Sequence, residues 1–180
     1  MKRAVVLSLV AIALIAGGCR KKNDVAANLN AQNKVAVRPI RLYYESEAML
    51  LVPEARNVAL PESPAGAIPM VVRELIKGPV LPASLRLFPP DTVVRGAYLL
   101  PEGTVIVDLG GPTLTSGWGA GSHTELMAIY SLVHTVTSNF TEARRVRIVV
   151  NGTPADTLGG HISLARSLGP MPTLIDARHR

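Results

Sequence analysis

Residues 93–110, VVRGAYLLPEGTVIVDLG, decide the fold because they have the pattern of two strands joined by a tight turn. Aliphatic and β-branched residues dominate both halves, and such residues favour strands. Pro101-Glu102-Gly103 separates the halves and supplies a glycine where the turn needs a positive φ. In the second half Val105, Val107 and Leu109 alternate with other residues, which predicts one apolar face. The segment therefore predicts an antiparallel hairpin.

The upstream sequence predicts a helix and a pair of strands. Residues 68–77 carry apolar side chains at helical spacing, and Gly78-Pro79 follows them. Glycine accepts the left-handed conformation that ends a helix, and proline cannot continue the helix. Residues 35–44 predict a strand, and residues 49–52 predict a return strand after a turn at Glu45-Ser46-Glu47.

The downstream sequence predicts a second helix and a last strand. Ser122-His123-Thr124-Glu125 matches the capping box S-x-x-E, which predicts that Ser122 caps a helix running to about Phe140. Residues 146–150 predict a strand, and Asn151-Gly152 predicts the turn after it. The order strand, helix, hairpin, helix, strand indicates an α+β fold, with two helices packed on one face of a small mixed or antiparallel sheet.

The N-terminal residues have the pattern of a secretory signal and a tether. A basic start precedes an apolar run shorter than the roughly 20 residues that span a bilayer. The small residues Ala16-Gly17-Gly18 then precede Cys19, which resembles a bacterial lipobox. This resemblance implies that residues 1–18 are removed and that Cys19 receives a diacylglycerol; the alternative is an ordinary signal peptide with an incidental cysteine. Residues 19–36 are polar and predict a flexible tether on the order of 20 Å long.

Composition limits the class of protein. Hydrophobic residues make up 48% of the chain and aromatic residues 4%, so the core is expected to be aliphatic and the chain is not intrinsically disordered. The single cysteine excludes an internal disulfide framework and a multi-cysteine zinc or iron–sulfur site. The formal net charge is +6, but the scarcity of aromatic residues and of long basic runs argues against a nucleic-acid partner.

No motif has the spacing of an active site. The string His123-Thr124-Glu125 matches the H-x-E of zinc deaminases, but one cysteine cannot supply their C-x-x-C partner. The glycine-rich loop at 117–121 lacks the G-K-[ST] of a phosphate-binding loop, and no G-x-S-x-G places a nucleophile. We therefore predict no catalytic residue, no cofactor and no metal site.

Four residues are candidates for a partner surface. Trp118 is the only tryptophan and is flanked by glycines, and three arginines cluster at the start of the last predicted strand: Arg144, Arg145 and Arg147. Tryptophan and arginine are enriched at protein interfaces. The alternative is a flexible loop around Trp118 and a solvated strand face for the arginines.

Three strings together resemble a known family: ELIKGP at 74–79, the helix opening with Glu125-Leu126, and VRIVVNG at 146–152. They are similar to the GerMN domain of sporulation and spore-germination lipoproteins, and the match covers about residues 38–168. The resemblance implies a fold close to the ring-building motif of secretion-system and sporulation-channel proteins, and it implies no established catalytic residues. The expected organisation is a GerMN-like domain at 37–170 and a C-terminal tail at 171–180.

The expected function is that of a non-enzymatic lipoprotein of the bacterial cell envelope. It would be anchored to a membrane by its acyl group and would face the periplasm or the exterior. Its domain would bind an envelope protein or associate with itself. The alternative is a peptidoglycan-associated module that binds glycan or peptide, and an envelope hydrolase is disfavoured by the lack of a nucleophile or acid–base constellation.

Overall fold

The computed structural model describes residues 34–179, so the predicted signal peptide, Cys19 and most of the predicted tether lie outside the described residues. The elements in chain order are β1 Val35–Ser46, β2 Leu51–Pro61, α1 Pro64–Ile76, β3 Ser84–Leu85, β4 Val93–Leu99, β5 Thr104–Gly110, α2 Pro112–Ser116, α3 Ser122–Asn139, β6 Arg145–Val150 and β7 Thr153–Pro154. Two single-turn 3-10 helices follow, at Pro172–Leu174 and Ala177–His179.

The predicted α+β class is confirmed, but the strands form two sheets where the sequence indicated one. In the first sheet the order is β2-β1-β3, and all neighbours are antiparallel. In the second the order is β4-β5-β6-β7, with β5 and β6 parallel and the other pairs antiparallel. Helix α3 packs against β1 and β6, and α1 packs against β2, β4 and α3.

The predicted hairpin at 93–110 is confirmed as β4 and β5. Gly103 in its turn has φ 86°, and Gly78 after α1 has φ 91°, so both glycines adopt the left-handed conformation that the sequence predicted. The return strand β2 is longer than predicted, because it continues past residue 52 to Pro61. Its second half contains the low-propensity residues Asn57 and Pro61, which hide the strand pattern from sequence analysis.

Helix α3 is buried on almost all sides, and its polar side chains bond to one edge of the first sheet. Three polar residues one turn apart, Ser131, Thr135 and Asn139, bond to the inner edge of β1. Ser131 donates to the carbonyl of Tyr43 over 2.5 Å, and Thr135 accepts from the Tyr43 N–H over 3.0 Å. Asn139 accepts from the Arg41 N–H over 2.9 Å and donates to the Arg41 carbonyl over 2.7 Å.

This polar stripe explains why there are two sheets. Ser131 and Thr135 bond to the carbonyl and the N–H of Tyr43, and Asn139, one turn further on, bonds to both peptide groups of Arg41. The edge of β1 that could have joined the second sheet is therefore occupied by α3 and, at Glu45 and Ser46, by β3.

The predicted capping box is wrong. Gly121, not Ser122, is the residue before α3, and no side chain caps the helix. Ser122 is the first helical residue, and Glu125 is fully buried with its carboxylate bonded to a distant loop.

Candidate functional site

The β1–β2 hairpin presents an exposed and mostly apolar face. Residues directly opposed in an antiparallel pair share a face of the sheet, and Val37 is opposed to Ala59 while Pro39 is opposed to Asn57. Val37 keeps 71% of its surface exposed. We call the following exposed set the hairpin face: Val35, Val37, Pro39, Ala55, Asn57 and Ala59. An exposed, contiguous apolar surface is typical of an interaction site.

The same hairpin has an open strand edge. β2 is the outer strand of its sheet, and its described backbone contact beyond β1 is at its first residue, where Asp176 donates to the Leu51 carbonyl over 3.0 Å. An open edge leaves N–H and C=O groups available for another strand. Pro53 and Pro61 cannot donate, so the segment best able to accept a partner strand lies between them.

A basic cavity of about 490 Å³ lies between β1, α3 and the C-terminal segment at 170–179. Its positively charged or ionisable lining residues are Arg41, Arg144 and His179, with His134 deeper inside. No carboxylate of residues 34–179 pairs with Arg41 or Arg144. We call this site the basic cavity.

His134 joins α3 to the C-terminal segment. Its Nε2 lies 3.1 Å from the carbonyl oxygen of Met171 and 3.2 Å from the Met171 nitrogen. Burial lowers the pKa of His134, because a buried imidazolium loses its hydration, and the Met171 carbonyl only partly opposes this effect. The neutral ring is therefore the form that fits this contact. Ile175, in the predicted tail, is also buried.

The predicted partner residues do not form one surface. Trp118 is half-buried and stacks on Phe88, with ring centroids 6.3 Å apart. It precedes the N-terminus of α3, whereas Arg144 and Arg145 follow its C-terminus, and this helix of 18 residues spans about 27 Å. Arg147 is half-buried and donates to the Ala165 carbonyl over 3.0 Å. The partner roles of these four residues stay predictions.

Glu125 organises the loop at 157–162. Its Oε1 accepts from the N–H groups of Leu158 and Gly159, each over 2.8 Å. Its Oε2 accepts from those of His161 and Ile162, over 2.8 and 3.2 Å. A Cβ on Gly159 would lie 3.0 Å from the Trp118 carbonyl oxygen, so a glycine lets the two loops approach each other. One buried carboxylate thus fixes the loop at 157–162 beside the start of α3, and the loop of Trp118 packs closely against it.

A second buried acid, Glu54, organises the end of α1, where the ELIKGP string lies. Glu54 pairs with Arg56 and accepts from the N–H groups of Val80 and Leu81. Arg56 in turn donates to the carbonyls of Glu74 and Gly78, over 3.2 and 2.6 Å, which satisfies the end of α1. Its guanidinium lies 5.6 Å from the centroid of the Tyr44 ring. Burial raises the pKa of Tyr44 to about 12, so the phenol stays protonated and donates to the Leu75 carbonyl.

The residues of the H-x-E string are separated in the fold. His123 is half-exposed and its Nε2 lies 2.6 Å from Oε1 of Glu45, whereas Glu125 faces the loop at 157–162. Within residues 34–179 no group of three or more His, Cys, Asp or Glu residues is arranged to hold a metal ion. No helix of the described part of the chain is long and apolar enough to cross a membrane.

Sequence reasoning missed both the hairpin face and Arg41. The second half of β2 was not predicted as a strand, so the sequence did not indicate that Ala55 and Ala59 lie opposite residues of β1. Arg41 is one arginine within a predicted strand, and only the fold brings it to the same cavity as Arg144. The signal that was available is the run of small and apolar residues on alternate positions of residues 35–39.

Comparisons with solved structures agree with this fold. A candidate lipoprotein from Clostridium perfringens shares 16% identity with a TM-score of 0.51, and the alignment covers 79% of this chain and 93% of that one. The first GerMN domain of the sporulation protein GerM from Bacillus subtilis shares 20% identity with a TM-score of 0.54, covering 73% and 97%. The tandem GerMN domains of the same protein share 19% identity with a TM-score of 0.56, covering 74% and 46%. The chain thus spans about half of the tandem protein.

The sequence comparison identifies the family. No curated protein matches the chain. The family model Germane, described as sporulation and spore germination, matches residues 41–156, from β1 to the loop after β7. This range covers more than half of the chain and confirms the resemblance stated from the three sequence strings. The chain therefore belongs to the Germane family of GerMN domains.

Proposed function

We propose that this chain is a non-enzymatic lipoprotein of the cell envelope whose domain pairs with a second copy through the β1–β2 hairpin. The Germane family's description links it to sporulation and spore germination, and a candidate lipoprotein has the same fold; both support an envelope role. The lipobox-like sequence ending at Cys19 supports anchoring by an acyl group. The non-enzymatic part rests on the sequence motifs, which contain no nucleophile or acid–base constellation.

The observation that carries the pairing is that the hairpin face and the open edge of β2 belong to the same two strands. An antiparallel contact between two identical strands is two-fold symmetric, so one surface serves both copies. Such a contact would pair the free peptide groups of β2 and bring the exposed β2 side chains Ala55, Asn57 and Ala59 of the two copies next to each other. A second copy is therefore a sufficient partner.

Sedimentation equilibrium tests the proposal. The protein is purified as its Cys19→Ser variant, so that no acyl chain contributes, and is expected to form a dimer in a concentration-dependent manner. Asn57→Lys places a charge at the middle of the β2 edge, where an antiparallel contact would bring the two lysines close together, and should raise the dimer Kd several-fold. Val93→Lys is the control, because Val93 is a strand residue with 52% exposure on the other sheet. A protein that stays monomeric, or equal effects of the two lysines, contradicts pairing through the hairpin.

A further inference from the structure

We propose that the basic cavity binds a phosphate group, carried either by a soluble phosphomonoester or by an anionic phospholipid. This site adjoins the proposed pairing surface, because Arg41 is opposed to Ala55 of the hairpin face, but the binding of its ligand does not depend on pairing. The cavity has a volume of about 490 Å³, within the range of roughly 300–1,000 Å³ that is typical of sites for small molecules.

Neither guanidinium of the basic cavity pairs with a carboxylate among residues 34–179. Elsewhere Arg56, Arg95 and Arg178 each pair with a carboxylate. Arg86 lies beside a second cavity at the end of α1. It donates to the carbonyls of Ile76 and Lys77 and so satisfies acceptors at the helix C-terminus. The two guanidiniums of the basic cavity form no such pair among residues 34–179. Two positive charges without an acid suit a group that carries close to two negative charges, as a phosphomonoester does near neutral pH.

Other lining groups suit the rest of such a ligand. The Tyr43 hydroxyl accepts from Ser138 over 3.2 Å, so its own proton can be donated to an oxygen in the cavity. Arginine presents a planar fork of N–H donors that matches phosphate oxygens. Pro170, Pro172 and Ile175 form an apolar wall, against which a carbon chain or a glycerol unit can pack.

Two features oppose an anion, and both are offset. The Asp176 carboxylate interacts with the lining residue His179, but it is paired with Arg178. Thr137 and Ser138, in the last turn of α3, line the cavity, and the carboxyl end of a helix carries about half a negative charge. Arg41 and Arg144 together carry two full positive charges, and Asn139 neutralises part of the helix end by donating to the Thr135 carbonyl over 2.7 Å. The net field in the cavity therefore favours an anion.

The test measures binding to two probes with the Cys19→Ser variant, which cannot be acylated. Calorimetric titration with glycerol 1-phosphate detects a soluble ligand. Co-sedimentation with vesicles that contain phosphatidic acid, whose headgroup is a phosphomonoester, compared with phosphatidylcholine vesicles, detects a lipid headgroup. Arg41→Gln and Arg144→Gln should each weaken binding to the favoured probe about tenfold, because each removes a charged hydrogen-bond donor. Arg166→Gln is the matched control, since Arg166 is exposed and is not part of the cavity lining.

Binding to either probe with this pattern of variants supports the site, and the probe that binds identifies the source of the phosphate. Unchanged melting temperatures show that a loss of binding is not a loss of folding. Absence of binding to both probes contradicts the proposal. Equal weakening by Arg41→Gln, Arg144→Gln and Arg166→Gln also contradicts it, because that result would reflect the overall positive charge of the protein rather than a cavity.

Discussion

Replacing Glu125 with glutamine tests whether its carboxylate holds the loop at 157–162 in place. The carboxylate accepts four backbone N–H groups, two on each oxygen. Glutamine keeps one oxygen acceptor and replaces the other with an NH₂ group that can only donate. The best arrangement keeps the oxygen on Leu158 and Gly159, the pair that includes the buried N–H of Leu158. The N–H groups of His161 and Ile162 then face a donor instead of an acceptor.

The expected loss of stability follows from those two amides. A buried polar group without a partner costs about 1–3 kcal/mol, so two cost about 2–6 kcal/mol. The second pair is partly exposed and water can reach it, which places the loss at about 2–4 kcal/mol. A folded domain is stable by about 5–15 kcal/mol, so the variant should still fold, with a melting temperature lower by roughly 5–15 °C.

Urea denaturation measures the change in the free energy of unfolding, and hydrogen exchange locates it. The amides of His161 and Ile162 should exchange faster in Glu125→Gln, while those in the middle of α3 should change only with global stability. Glu102→Gln is the matched control, because Glu102 is exposed in the β4–β5 turn. If Glu125→Gln is as stable as Glu102→Gln, the carboxylate does not organise the loop and the reasoning is refuted.

Four further outcomes are expected. Because the pKa of His134 is lowered by burial, unfolding should become easier as pH falls below about 6.5, and thermal melts of His134→Gln should lack that part of the decline. Gly78→Ala should cost at least about 1–2 kcal/mol in urea denaturation, since φ is 91° and the new Cβ would lie 2.7 Å from the Arg86 guanidinium carbon. Ser122→Ala should change stability by less than about 0.5 kcal/mol, because Ser122 makes no cap; a larger loss would restore the capping box. Cell fractionation should find Cys19→Ser in the soluble fraction, and equal fractionation of the wild type as soluble protein would contradict acylation.

Local signals in the sequence predicted the elements whose ends are marked by turns. The β4–β5 hairpin, the end of α1 and the turn after β6 all carry a glycine with positive φ, at Gly103, Gly78 and Gly152. Glycine is favoured at such positions because it adopts a positive φ at little cost, independently of tertiary contacts. These elements could therefore be predicted without knowledge of their neighbours.

Contacts between distant parts of the chain could not be predicted in this way. Ser131, Thr135 and Asn139 have the spacing of a solvent-facing stripe, and only the presence of β1, about 90 residues earlier, makes them a buried edge. Glu125 matched a capping box because Ser122 precedes it by three residues. Its real partners are backbone N–H groups of residues 158–162, and backbone groups leave little trace in the sequence.

The occupied inner edge of β1 limits the stoichiometry of any association through the first sheet. α3 bonds to that edge at Arg41 and Tyr43, and β3 pairs with it at Glu45 and Ser46, so among residues 34–179 the long open edge of this sheet is that of β2. When two copies join through β2 in a two-fold contact, each copy uses that edge for the other. Pairing through β2 is therefore closed and does not itself present a β2 edge to a third copy.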